Sequence, residues 1–223
     1  QQTIANYNKA KEFYGRLSDP RKTPRMLRCD ATIAYVNYWL TSEVSEKKRL
    51  ITECWKLTKE SLKAFEEAGE ALEYGKAYNQ LSMSAIFGAT RESNFQARER
   101  AVREAVEHGE KAIGFLSTLE DSYELAKAYA KTASYLKVFA FYFLDLKDRE
   151  GYFQKANDYW HKASELSEEA TLLELLFTLG GAGLDWGWGS DKALENFNKA
   201  LEYGRKTRDK LIVGCALEFL AYN

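Results

Sequence analysis

The apolar residues of the chain recur at the three- and four-residue spacings of amphipathic helices. In four segments a Lys-Ala pair has a small or aromatic residue three positions before the Ala and an apolar or small residue seven before it. These triplets are Leu57/Ser61/Ala64, Ala105/Gly109/Ala112, Ala156/Trp160/Ala163 and Ala193/Phe197/Ala200. Offsets of four and three place each triplet on one side of a helix. The pattern therefore predicts helices that each bury a stripe of small and large side chains.

A second pattern alternates with the first along the chain. It is a five-residue block with a small second residue and usually an Ala followed by an aromatic or apolar residue at its end. Small side chains let two helix backbones approach closely while large neighbours fill the groove. Strict alternation of the two patterns indicates antiparallel helix pairs stacked in a row. The blocks lie at 31–35, 74–78, 125–129, 179–183 and 213–217.

Helix breakers are scarce in this sequence. Both prolines, Pro20 and Pro24, lie near the N-terminus, so no proline interrupts a helix in the rest of the chain. We predict about ten helices joined by short turns. The turns are expected near 18–24, 42–46, 66–70, 91–95, 117–121, 147–151, 167–170, 187–191 and 206–209. Expected N-caps are Ser93 or Asn94, Asp121 or Ser122, and Ser190 or Asp191.

The alternating blocks resemble the tetratricopeptide repeat family. In that family the first helix of each repeat carries Leu-Gly and Tyr, and the second carries Ala, an aromatic residue and Ala. The unit from Leu179 to Leu201 matches this order, although Gly183 stands where the family has Tyr. The hairpins that contain Ala77 to Ala112 and Ala128 to Ala163 are longer than a standard repeat, and the family's closing Pro is absent.

The resemblance implies an all-α fold, a right-handed α-α superhelix of stacked antiparallel helix hairpins. We expect a single domain of this type over 1–223, as part of a longer chain or assembly. The run from Leu211 to Tyr222 is too apolar for a polar end cap, and an uncapped array end needs cover. Further chain or another subunit, including a second copy in a homo-oligomer, would supply that cover.

Partners of this family lie in a concave groove lined by the first helix of each repeat. Carried over to this sequence, the groove positions are Lys76, Asn79 and Gln80 in one repeat and Lys127 and Lys131 in the next. Such amines and amides suit an acidic peptide or a C-terminal carboxylate. The alternative interpretation is that the lysines are solvated surface residues.

A glycine-rich segment from Gly180 to Gly189 contains two tryptophans. A phosphate-binding loop would need a preceding strand and a Lys-Ser/Thr pair after the last Gly, which this segment lacks. The glycines are better explained by close helix packing and a turn. Trp186 lies beside that turn and, if exposed, is a candidate partner anchor.

The balance of charge argues against a dedicated nucleic-acid binder. The chain has 32 Lys+Arg and 33 Asp+Glu, which gives a formal net charge of −1, whereas such binders carry a positive excess. One local basic cluster remains, formed by Arg16, Arg21, Lys22, Arg25 and Arg28. It either binds RNA or an acidic tail, or it is a solvated turn at the start of the array.

Other residue types bound the chemistry. Cys29, Cys54 and Cys215 are odd in number and set among apolar neighbours, which indicates reduced buried thiols and a cytoplasmic protein. The most apolar run, 135–146, is too short to span a bilayer and predicts a buried helix without a membrane partner. His108 and His161 lie on separate predicted helices without nearby Cys, so no metal, cofactor or catalytic site is predicted.

The sequence leads to three hypotheses of function. The first is a non-catalytic protein-protein interaction or scaffold module, which binds a peptide or helix of a partner in its concave groove. The second is a sensor or regulatory domain of a larger signalling protein, with a small ligand inside the aromatic core. The third is RNA binding through the Arg16 to Arg28 cluster, which the net charge makes the least favoured.

Overall fold

The computed structural model describes residues 2–119, 121–166, 191–208 and 210–222, and their regular structure is entirely α-helical. The all-α prediction is therefore confirmed for these residues. Within them, no helix has both the length and the apolar character needed to cross a bilayer. The helices are α1 (Gln2–Gly15), α2 (Lys22–Leu40), α3 (Val44–Ala68), α4 (Ala71–Ala89), α5 (Phe95–Leu116), α6 (Ser122–Phe143), α7 (Leu146–Leu166), α8 (Asp191–Thr207) and α9 (Lys210–Tyr222).

The helix ends follow the expected capping chemistry. Asn94 is the N-cap of α5, and its side chain accepts a hydrogen bond from the backbone N–H of Ala97 at 3.1 Å. Asp121 does the same for α6, with the N–H of Glu124 at 3.0 Å. Gly69 ends α3 at φ 68°, in the left-handed region that glycine enters without strain. Of the predicted caps, the structure thus selects Asn94 and Asp121.

One predicted turn is wrong. Residues 147–151 lie inside α7, and the chain turns instead at 144–145. The charged residues of this segment favour a turn in sequence. Here Lys147, Asp148 and Glu150 are exposed residues of a helix, and half-buried Arg149 donates a hydrogen bond to the carbonyl of Leu144 at 3.0 Å. Asp148 lies in the first turn of α7, where a carboxylate interacts favourably with the helix dipole. The turns predicted at 167–170 and 187–191 lie outside the described residues, apart from Asp191 at the start of α8.

Sequential helices pack as antiparallel hairpins. Between α2 and α3, the buried side chains of Ala31, Ala34, Tyr38, Leu50, Ile51 and Cys54 form one cluster. Between α4 and α5, Gly75 lies against Leu116, while Ser82 donates a hydrogen bond to the carbonyl of Ala105. As residue numbers rise on α4, the partners on α5 fall, so these helices run antiparallel. The absence of a side chain at Gly75 permits the close approach that the sequence predicted.

The chain divides into two compact units, Gln1–Glu124 and Leu125–Asn223. The first contains α1 to α5, and α3 contacts both α2 and α4. In the second, α6 and α7 form a hairpin in which Phe139 lies 5.5 Å from Tyr152 and Tyr129 lies 5.2 Å from Tyr159 between ring centroids. Helices α8 and α9 also pack together.

The thiols of the first unit are buried and unbonded, as predicted. Cys29 and Cys54 are both free cysteines. Burial raises the pKa of Cys54 to about 11 and also raises the pKa of Cys29, so neither is a reactive thiolate near neutral pH. The side chain of Cys215 lies outside the described residues.

Candidate interaction surface

Helices α2 and α4 lie side by side and point in the same direction. Contacts join Arg28 to Glu73 and Tyr35 to Phe87, so residue numbers rise together on both helices. We call the contacting stripes the α2–α4 face. Its residues are Arg28, Thr32, Tyr35, Tyr38 and Trp39 on α2, and Glu73, Lys76, Gln80 and Phe87 on α4.

Ion pairs connect residues next to the N-terminal end of this face, Arg21 and Arg25, with Glu70, which precedes α4. Glu70 contacts Arg21 at 3.1 Å and Arg25 at 3.5 Å. Arg21 also hydrogen-bonds Asp19 through its guanidinium and its backbone N–H, and these bonds lower the pKa of Asp19 to about 2. The segment before α2 is therefore tied to the start of α4 by charge-assisted hydrogen bonds.

Glu73 anchors the charged end of the α2–α4 face itself. Its side chain is only 13% exposed, and it pairs with Arg28 and with Lys76, the latter at 3.6 Å. A carboxylate in this position offsets two cations that would otherwise be partly buried without a partner. The ammonium of Lys76, a predicted groove residue, is thus already ion-paired with Glu73 of the same helix.

The predicted basic cluster is largely neutralised within the fold. Arg21, Arg25 and Arg28 have the carboxylate partners just described, and the Arg16 guanidinium lies 5.7 Å above the ring of Phe13. The arginines are consequently less available to phosphates, and the positive potential that RNA binding requires is reduced.

Neutral polar groups occupy the middle of the face. The Gln80 amide donates a hydrogen bond to the Thr32 hydroxyl at 3.4 Å and lies 3.8 Å from the sulfur of Cys54. Asn79, its predicted neighbour in the groove, is buried instead, and its Oδ1 has no hydrogen-bond partner among the described residues. Of the three groove positions predicted on α4, Lys76 and Gln80 therefore lie on one face and Asn79 points into the packed structure.

Aromatic rings form the C-terminal end of the α2–α4 face. The Trp39 indole makes edge-on contacts with Tyr38 and Phe87, at 5.2 Å each, and with Tyr35 at 6.2 Å. Tyr38 is buried, whereas the Trp39 side chain is 56% exposed. Edge-to-face contacts of this kind fix ring orientation. The result is an exposed indole that packs against the rings of Tyr35, Tyr38 and Phe87.

Two cations lie close to the ring of Tyr38. The Arg91 guanidinium is 5.3 Å from the Tyr38 ring centroid and donates a hydrogen bond to the Tyr38 hydroxyl at 2.8 Å. The Lys47 ammonium is 5.5 Å from the same centroid. Both distances are within the range of cation–π attraction.

The remaining predicted partner-binding residues belong to other parts of the sequence. Lys127 and Lys131 are half-buried on α6, within the second unit. Trp186 lies outside the described residues. Of the predicted partner-binding residues, the structure thus places Lys76 and Gln80 on the α2–α4 face.

A second aromatic cluster joins α4 to α5. Phe115 lies 4.7 Å from Tyr74 and 5.7 Å from Tyr78, and His108 lies 5.7 Å from Tyr78. Burial, together with the neighbouring Tyr78, raises the pKa of Tyr74 to about 12. Burial lowers the pKa of His108, although Glu104 at 3.2 Å opposes this shift. These rings pack the hairpin, and Tyr74 and Phe115 also line a shallow open pocket of about 250 Å³.

An open groove of about 450 Å³ lies over the second half of α4, between α3 and α5. Its floor includes Ser84 and Gly88, and Trp55 and Arg100 line its sides. No cluster of three or more His, Cys, Asp or Glu side chains suited to hold a metal occurs among the described residues. The groove is lined mostly by small residues, together with Ile51, Trp55 and three charged side chains, Glu92, Arg100 and Glu104.

The aromatic end of the α2–α4 face was missed by the sequence reasoning. A signal exists, because Tyr35, Tyr38 and Trp39 occur at helical spacings at the end of one predicted helix. The same spacing also fits a buried core stripe. Only the position of Phe87 and Arg91 on a helix far along the chain shows that Tyr38 is buried and Trp39 is exposed.

Comparison with known proteins gives no assignment. No family model matches the chain, and no curated protein matches it significantly. The residues of the chain itself therefore carry the functional inference.

Proposed function

We propose that the chain is a non-catalytic interaction module that binds a peptide or helix of a partner protein on the α2–α4 face. The observation that supports this most strongly is Trp39, which is 56% exposed while its ring contacts three others. Tryptophan is enriched among the residues that dominate binding energy at interfaces. A side chain already held in place loses little conformational freedom on binding.

The helix arrangement supports the resemblance to tetratricopeptide repeats. Helices α2 and α4 are parallel and adjacent, and α3 packs against both. In a repeat array, the first helices of successive repeats are parallel and line the inner surface. An antiparallel second helix lies between each first helix and the next along the chain. On this proposal α2 and α4 are the first helices, and the α2–α4 face belongs to the concave surface.

The proposed anchor lies further along the face than the groove positions expected from the sequence. Lys76 is paired with Glu73, and Gln80 is hydrogen-bonded to Thr32. A ligand would have to displace these contacts, whereas it can bury the Trp39 indole without breaking any. Binding is therefore centred on the aromatic end, with Lys76 and Gln80 at its edge.

A peptide selection tests this function directly. Short random peptides displayed on phage are selected against the full chain, and the dissociation constants of the selected peptides are measured by fluorescence anisotropy. We expect Trp39→Ala to weaken binding about thirtyfold, which corresponds to about 2 kcal/mol for an interface hot spot. The loss should occur with unchanged helix content in circular dichroism.

The matched control is Phe95→Ala. Phe95 is also 56% exposed, but it lies at the start of α5 and is not among the residues that form the α2–α4 face. Its removal should leave the affinity unchanged. Equal losses in both variants, or a selection that yields no peptide sensitive to Trp39→Ala, would contradict the proposed function.

A further inference from the structure

We infer that the partner segment bound at Trp39 is acidic, and that Lys47 and Arg91 receive a carboxylate placed beside its apolar anchor. This inference rests on the proposed function and specifies the chemistry of the partner. It follows from two cations that converge on one buried ring and lack a carboxylate in the described part of the chain.

The first cation, Lys47, lies in the α3 segment beside the aromatic cluster. Its ammonium is 5.5 Å from the centroid of Tyr38, and it forms no ion pair with any described residue. Glu46, its neighbour in sequence, pairs with Arg49 at 2.7 Å. A cation near the N-terminus of a helix also opposes the helix dipole. Among the described residues, no carboxylate offsets the charge of Lys47.

The second cation, Arg91, lies in the turn after α4. It donates a hydrogen bond to the Tyr38 hydroxyl at 2.8 Å, and its buried Nε has no hydrogen-bond partner among the described residues. Glu92, the next residue, forms no ion pair with it within the described chain. Arginine binds carboxylates through paired donors. Because Arg91 is only half-buried, the terminal nitrogens of its guanidinium are the donors left for such a contact.

The opposite end of the α2–α4 face provides an internal contrast. There Arg21, Arg25 and Arg28 each have a carboxylate partner on the chain. Among the described residues, the chain thus neutralises its arginines at the charged end and gives Lys47 and Arg91 no carboxylate partner at the aromatic end. A ligand carboxylate beside Tyr38 would be attracted by both cations.

The neighbouring surface favours a peptide as the source of this carboxylate. Leu40 and Val44 are exposed beside Trp39 in the sequence that joins α2 to α3. Apolar side chains of a peptide can cover this surface, whereas a sugar-phosphate backbone cannot bury it favourably. The occupant we assign is a peptide segment with an aromatic or aliphatic anchor next to an Asp or Glu.

Charge-removing variants test this inference on the selected peptides. We expect those peptides to be enriched in Asp and Glu, and Lys47→Gln and Arg91→Gln each to weaken their binding about tenfold, as expected for a charge-assisted hydrogen bond. Replacing the peptide carboxylate with its amide should abolish the effect of both variants, because the coupling between the two groups is then removed.

Lys63→Gln and Arg100→Gln are the matched controls. Each removes one positive charge from an exposed position on α3 or α5, so each should leave the affinity unchanged. If Arg91→Gln lowers the melting temperature, its effect on binding is not interpreted, and the inference is judged on the affinity of Lys47→Gln alone.

The possible outcomes separate this inference from the proposed function. Peptides that depend on Trp39 but are not acidic, or are bound equally by Lys47→Gln, overturn the inference and leave the function standing. A selection that yields no Trp39-dependent peptide would contradict both the proposed function and this inference. Tighter binding of a single-stranded oligonucleotide, lost in Lys47→Gln and Arg91→Gln, would also overturn the inference by naming a different occupant.

Discussion

Gly75 and Gly114 both lie within helices, but only Gly75 is needed for packing. A Cβ atom at Gly75 would come within 2.7 Å of Cγ and Cδ2 of Leu116, whereas one at Gly114 would meet nothing within 4 Å. Glycine inside a helix costs roughly 0.5–1 kcal/mol relative to alanine. The close approach of α4 and α5 explains that cost at Gly75, and nothing in the structure explains it at Gly114.

Alanine substitutions should therefore have opposite effects at these positions. Gly75→Ala forces Leu116 to move and should lower the free energy of unfolding by about 1 kcal/mol, since overpacking of about 1–3 kcal/mol exceeds the gain in helix propensity. Gly114→Ala should raise it by about 0.5–1 kcal/mol. Urea denaturation measures both. A stabilising effect of Gly75→Ala equal to that of Gly114→Ala would refute the close packing.

Protonation of His108 should destabilise the fold. Burial holds the pKa of His108 below its ordinary value of 6.5, so the unfolded chain binds this proton more readily than the folded chain. The stability that neutral His108 contributes is present above pH 6.5 and is lost as the pH falls from that value toward the lower folded pKa.

The His108→Gln variant should consequently lose less stability than the parent chain when the pH falls below 6.5. Thermal unfolding across this pH range measures the difference. His161→Gln is the control, because His161 is exposed on α7, and it should follow the parent chain. If His108→Gln showed the same pH dependence as the parent, burial of the neutral imidazole would not contribute.

At the scale of helices, the ion pair between Arg28 and Glu73 joins α2 to α4. Glu73→Gln leaves Arg28 half-buried with a weaker partner, and we expect a loss of about 1–3 kcal/mol in the free energy of unfolding. Glu60→Gln is the control, because Glu60 is exposed and its contact with Lys56 is 4.0 Å long. Its effect should be below about 1 kcal/mol. Equal effects in urea denaturation would show that Glu73 does not hold the helices together.

The stripes predicted from small-residue spacing describe some helices better than others. In α5 the stripe Ala105/Gly109/Ala112 is buried as predicted. In the second half of α3 the buried residues are Thr58, Ser61 and Phe65, whereas Leu57 and Ala64 of the predicted stripe are only half-buried. Helix α3 contacts both α2 and α4, so its buried surface is set by two neighbours. A single spacing rule cannot locate such a surface.

At the scale of the whole molecule, the sequence predicts the helices far better than it predicts the binding surface. Lys76 and Gln80 share one side of α4, as local spacing within a helix requires, and their role in binding stays a prediction. Trp39 and Arg91 were missed, because their positions depend on a contact between α2 and the turn after α4, which are far apart in the chain. Spacing within one helix carries no information about that contact.

The α2–α4 face has two ends of different character. Its charged end is closed by ion pairs within the chain, and its aromatic end exposes an indole beside two cations. This asymmetry predicts where a partner binds. It also predicts that binding depends on the aromatic end and changes little when a charge at the opposite end is altered.

Chemical-shift mapping tests this central claim most directly. The isotope-labelled chain is titrated with a selected peptide, and the backbone and indole N–H signals are followed by nuclear magnetic resonance. We predict that the largest changes occur at the Trp39 indole and at residues 35–47 and 87–91, which surround it. Changes concentrated at 97–104, on the α5 side of the open groove between α3 and α5, with the Trp39 indole signal unmoved, would contradict the account.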